Sequence, residues 1–111
     1  MIIALGDIYA QVPYREEVRE LMRATQARMR AQPGCLAYEF AETLEDPGHF
    51  LVVQQWQDRA ALDAHYRSQE FADYQASIRD RLVRDSDLRL HVVQETVRPV
   101  GVSPADPRLD D

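Results

Sequence analysis

The apolar residues of this chain change period in a fixed order: two, then three-to-four, then two twice over, then three-to-four, then two. That order constrains the fold more than any other feature. Ile2 to Val12 alternates, with Ile2, Ala4, Ile8, Ala10 and Val12 on one face and Ile3, Leu5 and Tyr9 on the other. Alternation of this kind is a strand pattern. Gly6 and Asp7 interrupt it, which predicts a bulge or a close approach to another element, and Pro13 stops the ladder. Between Tyr14 and Gln32, Val18, Leu21, Met22, Thr25 and Met29 form a helical stripe, with Arg15, Glu16, Arg19, Glu20, Arg23, Arg28 and Arg30 on the opposite side. Acids early and arginines late suit the helix dipole, and Pro33-Gly34 ends the run.

Cys35 to Glu42 alternates again, with Leu36, Tyr38 and Phe40 on one face and Cys35, Ala37, Glu39 and Ala41 on the other. Leu44-Glu45-Asp46-Pro47-Gly48 is turn chemistry, so Phe50 to Trp56 returns as the second arm of a hairpin with a longer loop. His49, in that turn, is expected to face solvent. Asp58 is placed to cap a short helix through Leu62 and Tyr66. Ser68 caps a second run with Phe71, Tyr74, Gln75, Ile78 and Leu82 inside. Leu88 to Val97 is the last strand, and Pro99 to Asp111, with three prolines and three acids, reads as a flexible tail. The domain is therefore expected at residues 1–98 and the tail at 99–111. The order is β-α-β-β-α-β, an α+β, ferredoxin-like arrangement: four antiparallel strands with both helices on one face. The other face carries too many apolar side chains to meet water, so a second copy of the chain is expected against it, giving a dimeric α/β barrel.

Length and charge remove several classes of function. The 111 residues allow a single core. The net charge is −6, every one of the 13 basic residues is Arg, and no basic cluster is present, so a nucleic-acid partner is not expected. The absence of lysine excludes any mechanism that needs a Schiff-base lysine. No run reaches the roughly 18 apolar residues of a spanning helix, so no membrane partner is expected. The N-terminus lacks a basic leader, and a cytoplasmic location is the expectation. The lone Cys35 reads as a small buried hydrophobe, and no Cys/His pair has zinc-site spacing. No dinucleotide fingerprint or phosphate-binding glycine loop occurs, so no metal, flavin or haem is expected as a cofactor.

The segment from Gln32 to Phe40, Q-P-G-C-L-A-Y-E-F, followed by Gln55 to Phe71, Q-W-Q-D-R-A-A-L-D-A-H-Y-R-S-Q-E-F, resembles the antibiotic biosynthesis monooxygenase family. The likeness runs from about Ile2 to Val97 and is most specific between Pro33 and Phe71. It implies a dimer of ferredoxin-like chains. It further implies oxidation of a hydroxyaromatic substrate, a quinol or an anthrone, by O2 with no metal or flavin. Other members degrade haem, isomerise a phosphorylated signal molecule, or have no known activity; those chemistries, and a non-catalytic dimeric small-ligand-binding or stress-response module, remain the alternatives here. Haem-degrading relatives carry an Asn near Asp7 and a Trp near His65, and both are missing.

Cofactor-free oxidation needs a base, a dry aromatic pocket, and donors for the developing oxyanion. His65 matches the family's helix histidine, and imidazole titrates in the useful range. A structural His65, bonded to a backbone carbonyl at the helix break, is the competing reading. Asp7, a carboxylate within an apolar strand, is placed to orient His65 or stabilise its imidazolium. Tyr38, Trp56, Tyr66, Phe71 and Tyr74 are candidate pocket walls, with tyrosines donating to substrate oxygen, and core packing is the competing and more ordinary reading for each. Arg67 offers a cation to a phenolate or makes a solvated ion pair. His91 falls at an interface or a pocket.

Overall fold

The structure is a computed structural model that describes residues 1–100. In chain order it runs β1 (Ile2–Tyr9), α1 (Arg15–Arg30), β2 (Cys35–Glu42), β3 (His49–Trp56), α2 (Arg59–Tyr66), α3 (Gln69–Ile78) and β4 (Asp87–Val92). The expected tail falls, except for its first two residues, outside the described residues. The strands form one sheet in the order β2-β3-β1-β4, with every neighbouring pair antiparallel. This is the expected ferredoxin-like sheet. No helix among the described residues is long and apolar enough to cross a membrane.

Register decides which side chains meet the helices. Ile2 stands opposite Trp56 and Val92, Ala4 opposite Gln54 and Leu90, and Gly6 opposite Val52 and Leu88. Directly paired residues share a face, so the even-numbered side of β1 joins the core while Ile3, Leu5, Asp7 and Tyr9 look the other way. Gly6 makes the close approach expected of it, without a bulge: a Cβ there would lie 2.9 Å from Val52 Cγ1 and 3.1 Å from Leu88 Cδ1. The bulge occurs instead in β2, between Cys35 and Ala37. It turns Leu36 out to 57% exposure and brings Cys35 to the core side, which corrects the expected grouping of Leu36 with Tyr38 and Phe40.

On α1 the buried residues are Val18, Met22, Thr25 and Met29, the expected stripe without Leu21. Two polar residues of α1 also serve the free edge of β2, because Gln26 Oε1 accepts from Phe40 N at 3.0 Å and Arg30 Nε donates to the Tyr38 carbonyl at 2.9 Å. Asp58 and Ser68 cap as expected, accepting from Ala61 N at 2.9 Å and Phe71 N at 3.2 Å. Two strand ends differ from expectation. β1 stops at Tyr9, with Ala10 bridging Leu82 and Val12–Tyr14 forming a 3-10 turn. β4 stops at Val92 rather than Val97. The helices cover β1 to β3 and leave Leu88, Leu90 and Val92 of β4 38%, 43% and 72% exposed.

Candidate functional site

A cavity of about 250 Å³ lies between α3 and the helix-facing side of the sheet. Its floor is Gly6 and Ile8 of β1, Tyr38 and Phe40 of β2, and Val52 and Gln54 of β3. Phe71, Tyr74 and Ile78 of α3 and Tyr66 at the end of α2 close it, and exposed Arg79, Asp85 and Ser86 stand at its rim. The capped turn at Ser68 starts α3 where it does, and so aims Phe71, Tyr74 and Ile78 at the sheet.

Beneath the rim, the polar groups on the cavity wall are the Gln54 amide and the tyrosine hydroxyls. Gln54 is buried on the core side of β3, where its Oε1 accepts from Trp56 Nε1 at 3.0 Å and its Nε2 stands 3.5 Å from Tyr38 Oη. The Tyr66 and Tyr74 hydroxyls are buried with no hydrogen-bond partner among the described residues. Burial pushes Tyr66 up to about 12, against a weaker opposing pull from the nearby Gln54 amide, with which it makes no bond of normal geometry. Burial pushes Tyr38 and Tyr74 up as well. All three phenols are protonated at neutral pH and able to donate.

His65 is 1% exposed and sits behind this wall rather than on it. Its ring stacks on Trp56 at 4.7 Å between centroids and meets Tyr66, Phe71 and Tyr38 at 4.9, 5.0 and 5.4 Å. Nδ1 lies 2.6 Å from Gln32 Oε1, and Nε2 is buried with no partner among the described residues. Burial lowers its pKa to about 4, against a small opposing pull from Glu70, so the ring is neutral at pH 7.

Of the expected site residues, the structure gathers Tyr38, Tyr66, Phe71 and Tyr74 around the cavity and sets His65 against them. Three others stand elsewhere. Asp7 points from the opposite face of the sheet, where its Oδ1 meets His49 Nε2 at 2.8 Å and its Oδ2 accepts from Arg89 at 3.2 Å. The hydrogen bond from His49, then Arg89, lowers its pKa against the cost of burial. Strand parity therefore separates Asp7 from His65, and the expected Asp7–His65 dyad does not exist. His49 is correspondingly half-buried, stacked on Tyr9 at 4.3 Å, rather than facing solvent. Trp56 is fully buried and backs His65 without lining the cavity. Arg67 is exposed, lies off the cavity wall, and contributes its backbone N–H to the end of α2.

Sequence reasoning missed Gln54 and Gln32. Gln54 was detectable, because it falls in phase with Phe50, Val52 and Trp56, and a polar residue in an apolar phase must find a partner. Gln32 carried no such signal. Among the described residues no group of three or more His, Cys, Asp or Glu side chains is placed to hold a metal ion.

Known proteins share this architecture. The chain is 28% identical over 95 residues to the uncharacterized protein sll1783 of Synechocystis sp., covering 86% of this chain and 65% of that one. The chain thus spans just under two thirds of that relative's length. Rv0793 of Mycobacterium tuberculosis is 31% identical over 70 residues, covering 63% of this chain and 68% of its own. The solved structure of Rv0793 superposes with a TM-score of 0.80 over 87% of this chain and 98% of that one. A crystal structure of an antibiotic biosynthesis monooxygenase, 29% identical, superposes with a TM-score of 0.79 over 84% of this chain and 98% of that one. The family model for antibiotic biosynthesis monooxygenase matches residues 1–77, and with that match over most of its length the chain belongs to this family.

Proposed function

We propose that this chain oxidises a hydroxyaromatic compound, of the quinol or anthrone type, with O2 in the cavity under α3, and that the reaction uses no metal, flavin or haem. The observation that carries the reading is a set of three buried, unpartnered polar atoms: Tyr66 Oη and Tyr74 Oη on residues that line the aromatic-walled cavity, and His65 Nε2 in the layer packed behind them. Buried polar atoms are paired as a rule, and these three are complementary to a planar ligand carrying hydroxyl or carbonyl oxygens.

An electron-rich phenol, once deprotonated, reduces O2 itself, so the substrate takes the place of a redox cofactor. One oxygen atom becomes a ring carbonyl, and the other leaves as water with two hydrogens of the substrate. Tyr66 and Tyr74, held protonated by burial, donate to the substrate oxygen as its charge develops. Phe40, Phe71 and Ile8 give the substrate apolar walls. His65 is the neutral base beside them. With its pKa near 4, taking a proton from a phenol of pKa about 10 is uphill by about 8 kcal/mol. The two tyrosine donors, and the attraction between phenolate and imidazolium away from water, have to offset that gap.

The second copy of the chain belongs to the same reading. The open sheet face presents Ile3, Leu5, Leu51 and Val53 side by side, with Leu51 36% exposed, and a face of this kind is expected to pack on its equal.

Oxygen uptake on a panel of reduced quinones and anthrones, against a blank without enzyme, tests the function. Turnover above the blank that falls about 10²–10⁴-fold in His65→Ala supports it, as does a comparable loss when Tyr66 and Tyr74 both become Phe. Panel members that raise the melting temperature without any oxygen uptake would establish a ligand-binding module instead.

A further inference from the structure

A neutral imidazole has one N–H and one bare nitrogen, and its hydrogen-bond partners decide which is which. Around His65 the assignment can be worked out atom by atom. The His65 carbonyl can only accept, so Ser68 Oγ, 2.6 Å away, spends its single hydrogen there. The Ser68 oxygen then has only lone pairs left, one for Phe71 N–H at 3.2 Å and one for the Gln32 side chain at 3.0 Å. Gln32 must therefore present its NH2 to Ser68, which leaves its Oε1 facing His65 Nδ1 at 2.6 Å. An amide oxygen cannot donate, so Nδ1 carries the hydrogen and Nε2 is bare. The opposite tautomer would set two lone pairs against each other at that distance and bury an N–H with nothing to receive it.

The two nitrogens of an imidazole point roughly opposite ways, so Nε2 is directed away from Gln32; Trp56 covers a face of the ring, and Tyr38, Tyr66 and Phe71, which line the cavity, pack around it. We propose that Gln32 and Ser68 are positioning residues that lock His65 in its Nδ1–H tautomer, so that Nε2 stands as a bare acceptor for the hydroxyl hydrogen of a ligand entering from the cavity. The ligand half of this rests on the cavity being a hydroxyaromatic site; the tautomer half does not. The choice of Gln has a chemical consequence. A carboxylate in its place would accept the same Nδ1–H but would also hold a second proton on the ring, whereas the neutral amide fixes the tautomer and leaves Nε2 free to take a proton and give it back.

Long-range 1H–15N correlation spectra of the full-length protein at pH 7 read this directly, because protonated and bare ring nitrogens resonate far apart. Wild-type His65 is expected to show a protonated Nδ1 and a bare Nε2. Ser68→Ala frees the Gln32 amide to turn, and Gln32→Leu removes it; both are expected to give a mixed tautomer. Gln32→Glu is expected to keep the tautomer and raise the His65 pKa by about one unit or more. A protonated Nε2 in the wild type overturns the proposal even if no variant folds. An unchanged tautomer in folded Ser68→Ala and Gln32→Leu overturns the lock. For the ligand half the probe is 1-naphthol, with 1-methoxynaphthalene as the control that cannot donate. A shift of the Nε2 resonance with the first and not the second supports it, while equal shifts or none overturn it. A naphthol-specific shift combined with no oxygen uptake on any quinol or anthrone would leave this proposal standing and remove the monooxygenase reading.

Discussion

Lowering the pH from 7.5 to 4.5 is expected to remove about 2–3 kcal/mol of stability through His65 alone. Burial holds its pKa at about 4 in the fold, whereas an unfolded histidine titrates near 6.5. Between those values the unfolded chain binds a proton that the folded chain refuses, so stability rises with pH across the window and is lost as the pH falls through it. At pH 7.5 both states are neutral. At pH 4.5 the unfolded imidazole is almost fully charged and the folded one only about a quarter, which integrates to the figure above. Glu42 does not confuse the measurement. Its bond from Arg19, then that from the Gly48 N–H, holds its carboxyl at about 2, so its loss falls below about pH 4.5. Urea unfolding at both pH values, on the wild type and His65→Gln, isolates the effect by difference. The wild-type midpoint is expected to fall by about 1–2 M more than that of the variant. Equal falls in the two proteins would refute the reasoning. So would a wild-type His65 ring proton titrating near pH 6.5 by NMR, a result that stands even if the variant does not fold.

Gly34 and Gly48 both hold positive φ, +78° and +84°, so Ala at either is expected to cost about 1–2 kcal/mol in strain. Gly34→Ala is expected to cost more by urea unfolding, because its Cβ would lie 2.5 Å from Ala61 Cβ on α2, while the clash at Gly48 is with the movable end of Arg15. Ala61→Gly in the Gly34→Ala background is expected to restore only the difference. Gln54→Leu leaves the buried Trp56 N–H without its acceptor and is expected to lower stability by about 1–3 kcal/mol, read from the same midpoint. Leu5→Glu, on the open sheet face, is expected to convert a dimer to a monomer in sedimentation equilibrium at micromolar concentration, and a wild type already monomeric there would remove the paired-sheet reading.

The fold was legible because each of its elements carries its own local signal. Alternation marks the strands, the Val18–Met22–Thr25–Met29 stripe marks α1, and Asp58 and Ser68 mark the starts of α2 and α3 with side chains that do cap. Errors fell where a non-local interaction sets the outcome. Leu36 alternates correctly with Tyr38 on paper, but the β2 bulge spends one residue and reverses its side. β1 ends at Tyr9 because the chain beyond it meets the segment after α3: Ala10, whose N–H still donates to the Gly48 carbonyl at 2.8 Å, bridges Leu82, and Gln11 N donates to the Arg81 carbonyl at 2.9 Å. Nothing in either local sequence announces a partner some seventy residues away.

The site was legible in its residue types and illegible in its pairings, and strand parity explains both. Tyr38, Tyr66, Phe71 and Tyr74 were identifiable because aromatic side chains in the buried phase of a small α+β domain have few other places to go. Asp7 alternates with Ile3, Leu5 and Tyr9, so the same periodicity that found its strand already set it on the other face from Ile8 and Ala10. A helix residue such as His65 can meet only one face of the sheet. The dyad was attractive as chemistry, yet it required both faces to serve one pocket. Gln54 shows the converse. It sits in the buried phase of β3, where an amide survives only by pairing, and its oxygen is committed to Trp56. That commitment holds Trp56 in place beneath His65, which leaves the imidazole's orientation to Gln32 and Ser68 at the far ends of α1 and α2. A histidine whose ring is fixed by two residues from the turns that follow different helices cannot be read from any one stretch of sequence, because the information lies in which donors have already been spent.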